Sequence, residues 1–244
     1  DISLGGNVSV PGTITLYATT AATPMNLGFV GGNWELDDTE IGYLQAGTTA
    51  LNIGENGTQS GAITFDTVDL SALDNATTIT TATSSPVGFA TGTAIRTGGA
   101  SIGFTNVPTV NLPAGTVTID TGVGDPATAG SVAFSTAAPL RDLADAGASQ
   151  SSISIDTSTT GATAGDVDLG NVGTVGDPIV TLTVTAGGGT TDGTVTFHGD
   201  AYAATIDIPS GGELLLSGTY NTGNNPWAIA IPARQTAHVV IITG

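Results

Sequence analysis

Apolar and polar residues alternate along the whole chain in short runs: "VSVPGTITLYA", "GAITFDTVDL", "TTITTAT", "SIGFTNV", "GTVTIDTG", "GSVAFST", "SSISIDTS", "GDVDLGNV", "IVTLTVTAGG", "GTVTFHGD" and "ATIDIPSGGELLLSG". Gly, Asn, Asp or Pro stands at or within a few residues of the end of each run. A period of two places successive side chains on opposite faces, so these runs predict strands with one buried and one wet face, closed by turn residues.

The runs also resemble one another. Ile63-Thr-Phe65, Ile102-Gly-Phe104, Val132-Ala-Phe134, Val167-Asp-Leu169 and Val195-Thr-Phe197 align, with second anchors 39, 30, 35 and 28 residues apart. Each is followed by a second strand with its own Ile79, Ile119, Ile155, Leu182 or Ile206, so the repeat reads as a pair of strands with variable loops. A period of this size with glycine at the corners predicts an all-β fold, a parallel β-helix (solenoid) with irregular corner loops. Residues 1–244 then form a single solenoid domain. With roughly 30 residues per coil and coils about 4.8 Å apart, the body has about eight coils and is on the order of 40 Å long. A jelly-roll-like β-sandwich subunit with a donor strand is the alternative, since sandwiches also string short alternating strands together.

Composition narrows the function. Only 10% of the residues are charged, with no lysine and no cysteine, so surface polarity falls to Thr, Ser and Asn, and disulfide and Cys-based metal chemistry are excluded. Twenty-one acidic residues against three arginines give a net charge of −18, which repels phosphate backbones and anionic lipids. Nucleic acid is excluded as a partner, and no apolar run reaches the roughly 18 residues a membrane helix needs, so no membrane insertion is expected. No basic segment followed by an apolar run opens the chain, so Asp1 reads as a mature or excised start. Asn-x-Ser/Thr triplets at Asn7, Asn56 and Asn75 fit an extracellular or cell-surface location.

From Trp34 to Ser71 the residues Leu36, Asp38, Glu40, Ile41, Leu44, Ala46, Gly47, Leu51, Ile53, Gly54, Gly61, Ile63 and Thr64 spell an acidic turn, an "L-x-A-G" step and "L-x-I-G…G-x-I-T" strands. This pattern resembles the repeat region of filamentous-haemagglutinin-type and related autotransporter-like surface proteins. Leu182 to Gly223 is similar to the Gly/Thr-rich repeats of the same family, and the likeness covers roughly residues 30–225 in patches. It implies a secreted, right-handed parallel β-helix used for adhesion or as the shaft that displays an adhesive tip.

His198, one of two histidines, is the obvious candidate for catalysis. Val195 and Phe197 should point inward, so Thr194, Thr196, His198 and Asp200 face out. The matching outward position in the other units holds Asp66, Thr105, Ser135 or Gly170, so it carries no fixed chemistry, and no catalytic residue is assigned. Coil stacking should set Asp166 and Asp168 beside Thr194 and Thr196, making Asp166, Asp168, His198 and Asp200 the face on which a polysaccharide-binding or polysaccharide-cleaving function would rest. The absence of lysine, with Arg141 and Arg234 in other segments, weighs against an enzyme.

Asp37, Asp38 and Glu40 place three carboxylates in one turn. They could hold calcium, which takes about six to eight oxygens, or cap a short helix before "EIGYL"; the cap is preferred and no other cofactor is expected. Trp34, Tyr43, Tyr202, Tyr220 and Trp227 lack a clustered spacing and read as loop anchors and core fillers.

Neither end reads as a capped coil. "DISLGG" begins as strand and "AHVVIITG" ends as an uncharged strand, which suggests a piece of a longer shaft or self-association through residues 1–17 and 237–244. The assembly residues are then Ile2, Leu4, Val239, Val240, Ile241 and Ile242. The expected protein is a non-enzymatic, extracellular structural protein whose partner is itself, assembling as a filament or surface layer; an adhesin shaft or a glycan-binding β-helix is the alternative.

Overall fold

The computed structural model describes residues 4–29, 34–45, 47–136, 139–142, 151–223, 225 and 227–242. The chain winds as stacked coils. The first holds β1 (Thr13–Leu16) and β2 (Met25–Leu27), followed by β3 (Glu35–Leu36) and a single helical turn, α1 (Asp38–Ile41). The next four coils each have three strands. They are β4 (Ala50–Ile53), β5 (Ile63–Phe65) and β6 (Val68–Leu70); β7 (Thr78–Ala82), β8 (Val87–Phe89) and β9 (Ala94–Thr97); β10 (Ser101–Asn106), β11 (Val110–Leu112) and β12 (Gly115–Asp120); and β13 (Val132–Phe134), β14 (Leu140–Asp142) and β15 (Ser151–Asp156). Beyond them run β16 (Val167–Leu169) and β17 (Ile179–Thr185), β18 (Thr194–Phe197) and β19 (Ala201–Ser210), β20 (Glu213–Asn221) and β21 (Ala228–Ile229), and β22 (Ala233–Ile242).

Strands of successive coils pair in parallel to form three stacks. The first runs β1, β4, β7, β10, β13, β16, β18, β20, β22, and the third runs β6, β9, β12, β15, β17, β19, β21. The second runs β2, β5, β8, β11, β14, then narrows to single bridges from Leu140 to Val172 and from Val172 to Ala201 before continuing through Tyr220 to Ile241. Among the described residues every strand ladder is parallel, which makes the fold a parallel β-helix and rules out the sandwich, whose sheets are antiparallel.

Register explains why this sequence winds rather than folds flat. Ile14, Leu51, Ile79, Ile102, Val132, Val167, Val195 and Leu214 lie one above another, with seven of the eight buried and Ile14 packed against them. Ile95, Ile119, Ile155 and Val184 do the same on the third stack. Each fully buried side chain contributes about 1.5–3 kcal/mol, several times what an exposed ion pair supplies, so the inward row decides the register. Between the first and second stacks, Phe104 stacks on Phe134 at 5.1 Å and meets Phe65 and Phe89 edge-on.

Buried threonines hold the corner from the third stack to the first. The hydroxyls of Thr97, Thr121 and Thr157 donate to the carbonyls of Ala100, Gly130 and Gly165 at 2.7, 2.5 and 2.7 Å, giving partners to groups that the turn removes from the ladder. The same corner is closely packed: a Cβ at Gly165 would lie 2.0 Å from the Gly130 carbonyl oxygen, and one at Gly193 would lie 2.0 Å from that of Gly165.

Three features differ from the sequence reading. Each complete coil carries three strands, not two: the second-stack strands β8, β11 and β14 lie outside the alternating runs read from the sequence. Ile63 and Phe65 belong to the second stack, so the coil mate of Ile102 is Ile79; the Phe-containing motifs align because Phe65 and Phe104 reach one aromatic cluster from different stacks. In the third stack Ile155 pairs with Val184, while Leu182 pairs with Ile153, a shift of two residues that preserves the inward face.

At the N-terminal side the second and third stacks are covered, where open ends were expected, while β1 pairs with β4 alone among the described residues. β3 adds to the free side of β2, Leu44 bridges Val8, and α1 packs against β6. Trp34, Leu36, Ile41 and Leu44 turn inward and are buried, while Asp38 and Thr39 face water, the polar-outside pattern a terminal coil requires.

Replacing Gly193 by Ala should destabilise the protein by at least about 1–3 kcal/mol, because a backbone carbonyl occupies the Cβ position. Gly176→Ala, with open space around it, should change stability by under about 0.5 kcal/mol. Urea unfolding of the two variants checks this; equal midpoints would contradict the close-packed corner.

Candidate functional site

The outward face of the first stack carries Asp166, Asp168 and His198. Asp168 lies opposite Thr196, and the His198 Nε2 is 3.2 Å from the Asp168 Oδ1, with both side chains about half exposed (45% and 48%). Burial of Val195 and Phe197 orients this strand, and the histidine occupies the outward position that follows. Asp166 is already engaged, its Oδ1 accepting the Thr194 amide at 2.7 Å. Asp200 turns the corner and accepts the Thr219 amide at 2.7 Å. The four residues do not converge: one exposed His–Asp pair stands between two acids that serve as backbone acceptors. Among the described residues, no group of three or more His, Asp and Glu side chains is placed to hold a metal ion.

Asp37, Asp38 and Glu40 form the start of α1. Asp37 Oδ1 accepts the Glu40 amide at 2.9 Å and Glu40 Oε2 accepts the Asp37 amide at 3.2 Å, a reciprocal capping box. Glu40 Oε1 also accepts the Leu4 amide at 3.0 Å, which ties Leu4 to the cap. Two of the three carboxylates proposed for calcium are therefore occupied by main-chain donors. Burial, then the charges of Asp66, Asp37 and Asp69, push the Asp38 carboxyl above its ordinary value of 3.8.

The assembly residues divide between the two ends. Ile2 lies outside the described residues, and Leu4 packs part-buried beneath the cap. Residues 13–16 are β1, and residues 237–242 continue β22 along β20, as rungs of the solenoid rather than as projecting donor strands. On β22, Val239 is part-buried against the core, while Val240 and Ile241 are 38% and 53% exposed; of Ile242 only the strand backbone is described. Among the described residues β22 pairs with β20 alone.

One surface was not legible in the sequence. Tyr202 lies between buried Ala201 and Ala203, so its ring is directed outward into a groove that also contains Arg141, Asn171 and Asp200. The "AYA" alternation signals the outward ring. Its company does not follow from the sequence, because residues about 30 and 60 positions apart meet only through the single bridges of the second stack. Tyr220 and Trp227, by contrast, are core fillers as expected: Tyr220 is fully buried, with Phe197 and Trp227 edge-on at 5.5 and 5.1 Å.

No family model, curated protein or solved structure matches this chain.

Two measurements test the assignments. The raised Asp38 pKa means that ionisation costs stability, so the cost is present at neutral pH and absent below 3.8. Asp38→Asn should therefore raise the unfolding midpoint at pH 7, and the gain should shrink as pH falls through the raised value. A pH-independent effect would show that the local charges do not act on this carboxyl. His198→Ala, which removes an exposed pair, should change stability by under about 1 kcal/mol at pH 7 in a denaturant titration.

Proposed function

We propose that the protein is a non-enzymatic, extracellular structural solenoid that self-associates through its C-terminal strand edge. The observation that carries this reading is β22: ten residues long, paired on one side, and bearing the exposed Val240 and Ile241. An unpaired edge of this length offers free amides and carbonyls to a second chain, which natural sheets usually suppress with charge, proline or a covering element. Among the described residues, Arg234 supplies an ion pair on this strand, 2.9 Å from Glu213, at the far end from the apolar residues.

The unequal ends favour a particular geometry. At the opposite end, β3 and α1 cover the second and third stacks, so among the described residues head-to-tail addition would find the four residues of β1. Two β22 edges can instead pair over most of their length about a twofold axis, which closes as a dimer. A paired rod is therefore favoured over an open filament. The hydroxyl-rich surface, the Asn-x-Ser/Thr triplets at Asn7, Asn56 and Asn75 and the repeat resemblance between residues 30 and 225 support the extracellular, structural part of the reading. The separate roles of Asp166, Asp168, His198 and Asp200 support its non-enzymatic part.

Sedimentation between about 1 and 200 µM should show a monomer–dimer equilibrium, and negative-stain images should show rods of doubled length. The double variant Val240→Lys/Ile241→Lys should sediment as a monomer with an unchanged circular dichroism spectrum. A wild-type chain that stays monomeric throughout this range overturns the reading.

A further inference from the structure

Two adjoining pockets lie along the second-stack face from the fifth to the eighth coil and together make a shallow groove divided at Tyr202. One lobe, of about 270 Å³, is lined by Arg141, Asn171, Asp200 and Tyr202. The next, of about 310 Å³, is lined by Pro178, Tyr202 and Asn221; Val175 and Tyr202 belong to both. At about 4.8 Å per coil, the span from Arg141 to Asn221 is roughly 14 Å. The turn from Thr174 to Asp177, closed by an antiparallel bridge, forms one wall and presents Val175, which is 76% exposed.

The polar groups are held in place before any ligand arrives. Asn171 Oδ1 accepts the Asp200 amide at 2.9 Å, and Asn221 Oδ1 accepts the Gly223 amide at 2.8 Å. With both carbonyl oxygens engaged, the two carboxamide NH2 groups are what remain to donate. Arg141 adds a guanidinium on the outward side of β14, and Asp200 keeps acceptor capacity beyond its bond to Thr219. Tyr202 supplies an aromatic surface with a polar tip between these groups.

We infer that this groove binds a short, linear, neutral oligosaccharide segment, with Tyr202 as the stacking platform and Asn171, Asn221 and Arg141 as oriented donors. The two pockets lie in line along the stack over roughly 14 Å, which suits a chain more than a compact metabolite. Its floor is a face where main-chain groups are spent in bridges between coils, so a peptide would find no strand edge to extend. Sugars need what the floor offers: a ring for their apolar faces, and fixed donors and acceptors for paired hydroxyls. The −18 charge of the chain disfavours polyanionic glycans, and the single arginine lies beside Asp177, whose carboxyl is raised first by burial and then by Asp142, with Arg141 acting to lower it. This places sugar recognition on the second stack, away from Asp166, Asp168 and His198.

The test is titration calorimetry of the purified chain with cello-, xylo-, chito- and malto-oligosaccharides of two to six units, with heparin as the polyanion. At least one neutral series should bind, with affinity rising with length and levelling at about three to four units. Tyr202→Ala should weaken binding at least about tenfold and Tyr202→Phe by less than about threefold, while Asp168→Asn and His198→Ala leave it unchanged. Circular dichroism and thermal midpoints confirm folding, and a fixed sub-micromolar protein concentration separates binding from self-association. Absence of binding at millimolar sugar, binding that survives Tyr202→Ala, tighter binding of heparin than of any neutral chain, or loss of binding in the Asp168 and His198 variants would each overturn the inference.

Discussion

Parallel, in-register pairing between coils is the constraint from which the rest of this structure follows. A strand in a solenoid has no partner within its own coil, so its amides and carbonyls are satisfied only by the coils above and below. Register then forces like onto like: the residue above Ile79 must be one that can share its buried row, and Ile102, Val132 and Val167 are. Where the chain turns a corner, the ladder lapses and another group must take over. Thr97, Thr121 and Thr157 do so from inside, and the glycines beside them let each turn approach the previous one to a distance that any side chain would forbid.

The same constraint gives the acidic residues their role. Asp120 and Asp156 end third-stack strands and Asp69 stands one residue before the end of β6; each accepts the amide two residues on, from Gly122, Ser158 and Ser71, at 2.9 Å in every case. The recurring "VDLS", "IDTG" and "IDTS" are therefore one device, a carboxylate that starts a turn where the strand must stop. Hydrogen bonds from Ser71 hold the Asp69 carboxyl below its ordinary value, whereas burial raises that of Asp120. Part of the chain's negative charge is thus spent on corners. A row of charges along the coils follows, with Arg96 set between Asp69 and Asp120.

This division explains what could be read from the sequence. Period-two alternation and recurring anchors were enough for a parallel β-helix, for the inward positions of Val195 and Phe197, and for the placement of Asp168 beside Thr196. The three-residue second stack was not legible, since Val87–Phe89 and Val110–Leu112 are too short to show a period and can be lost among turn residues. Its absence from the reading put Ile63 in the wrong stack and left Tyr202 without neighbours. The cap was half legible: Asp37 and Glu40 carry a helix-start signature, but that Trp34, Leu36, Ile41 and Leu44 fold over the first coil depends on β3 adding outside β2, a step against the winding direction that no local pattern encodes.

Coil length connects the fold to the groove. Between equivalent inward residues the chain uses 37 residues from Ile14 to Leu51 and 35 from Val132 to Val167, but only 19 from Val195 to Leu214 and 19 again from Leu214 to Ala233. Coils of 19 residues have little length to spare for a loop across the second stack, so the face above Tyr202 stays open. The sixth coil keeps enough chain for the turn that raises Val175 as a wall. The second stack is also where pairing shrinks to Val172 and Ala201, so its outward positions come from turns and bridges rather than from long strands. Long strands dictate their outward rows through the pleat; turns leave the choice of Asn171, Asp200 and Tyr202 freer, because few buried contacts depend on what points out. Binding chemistry is thus most easily accommodated where the ladder is thinnest.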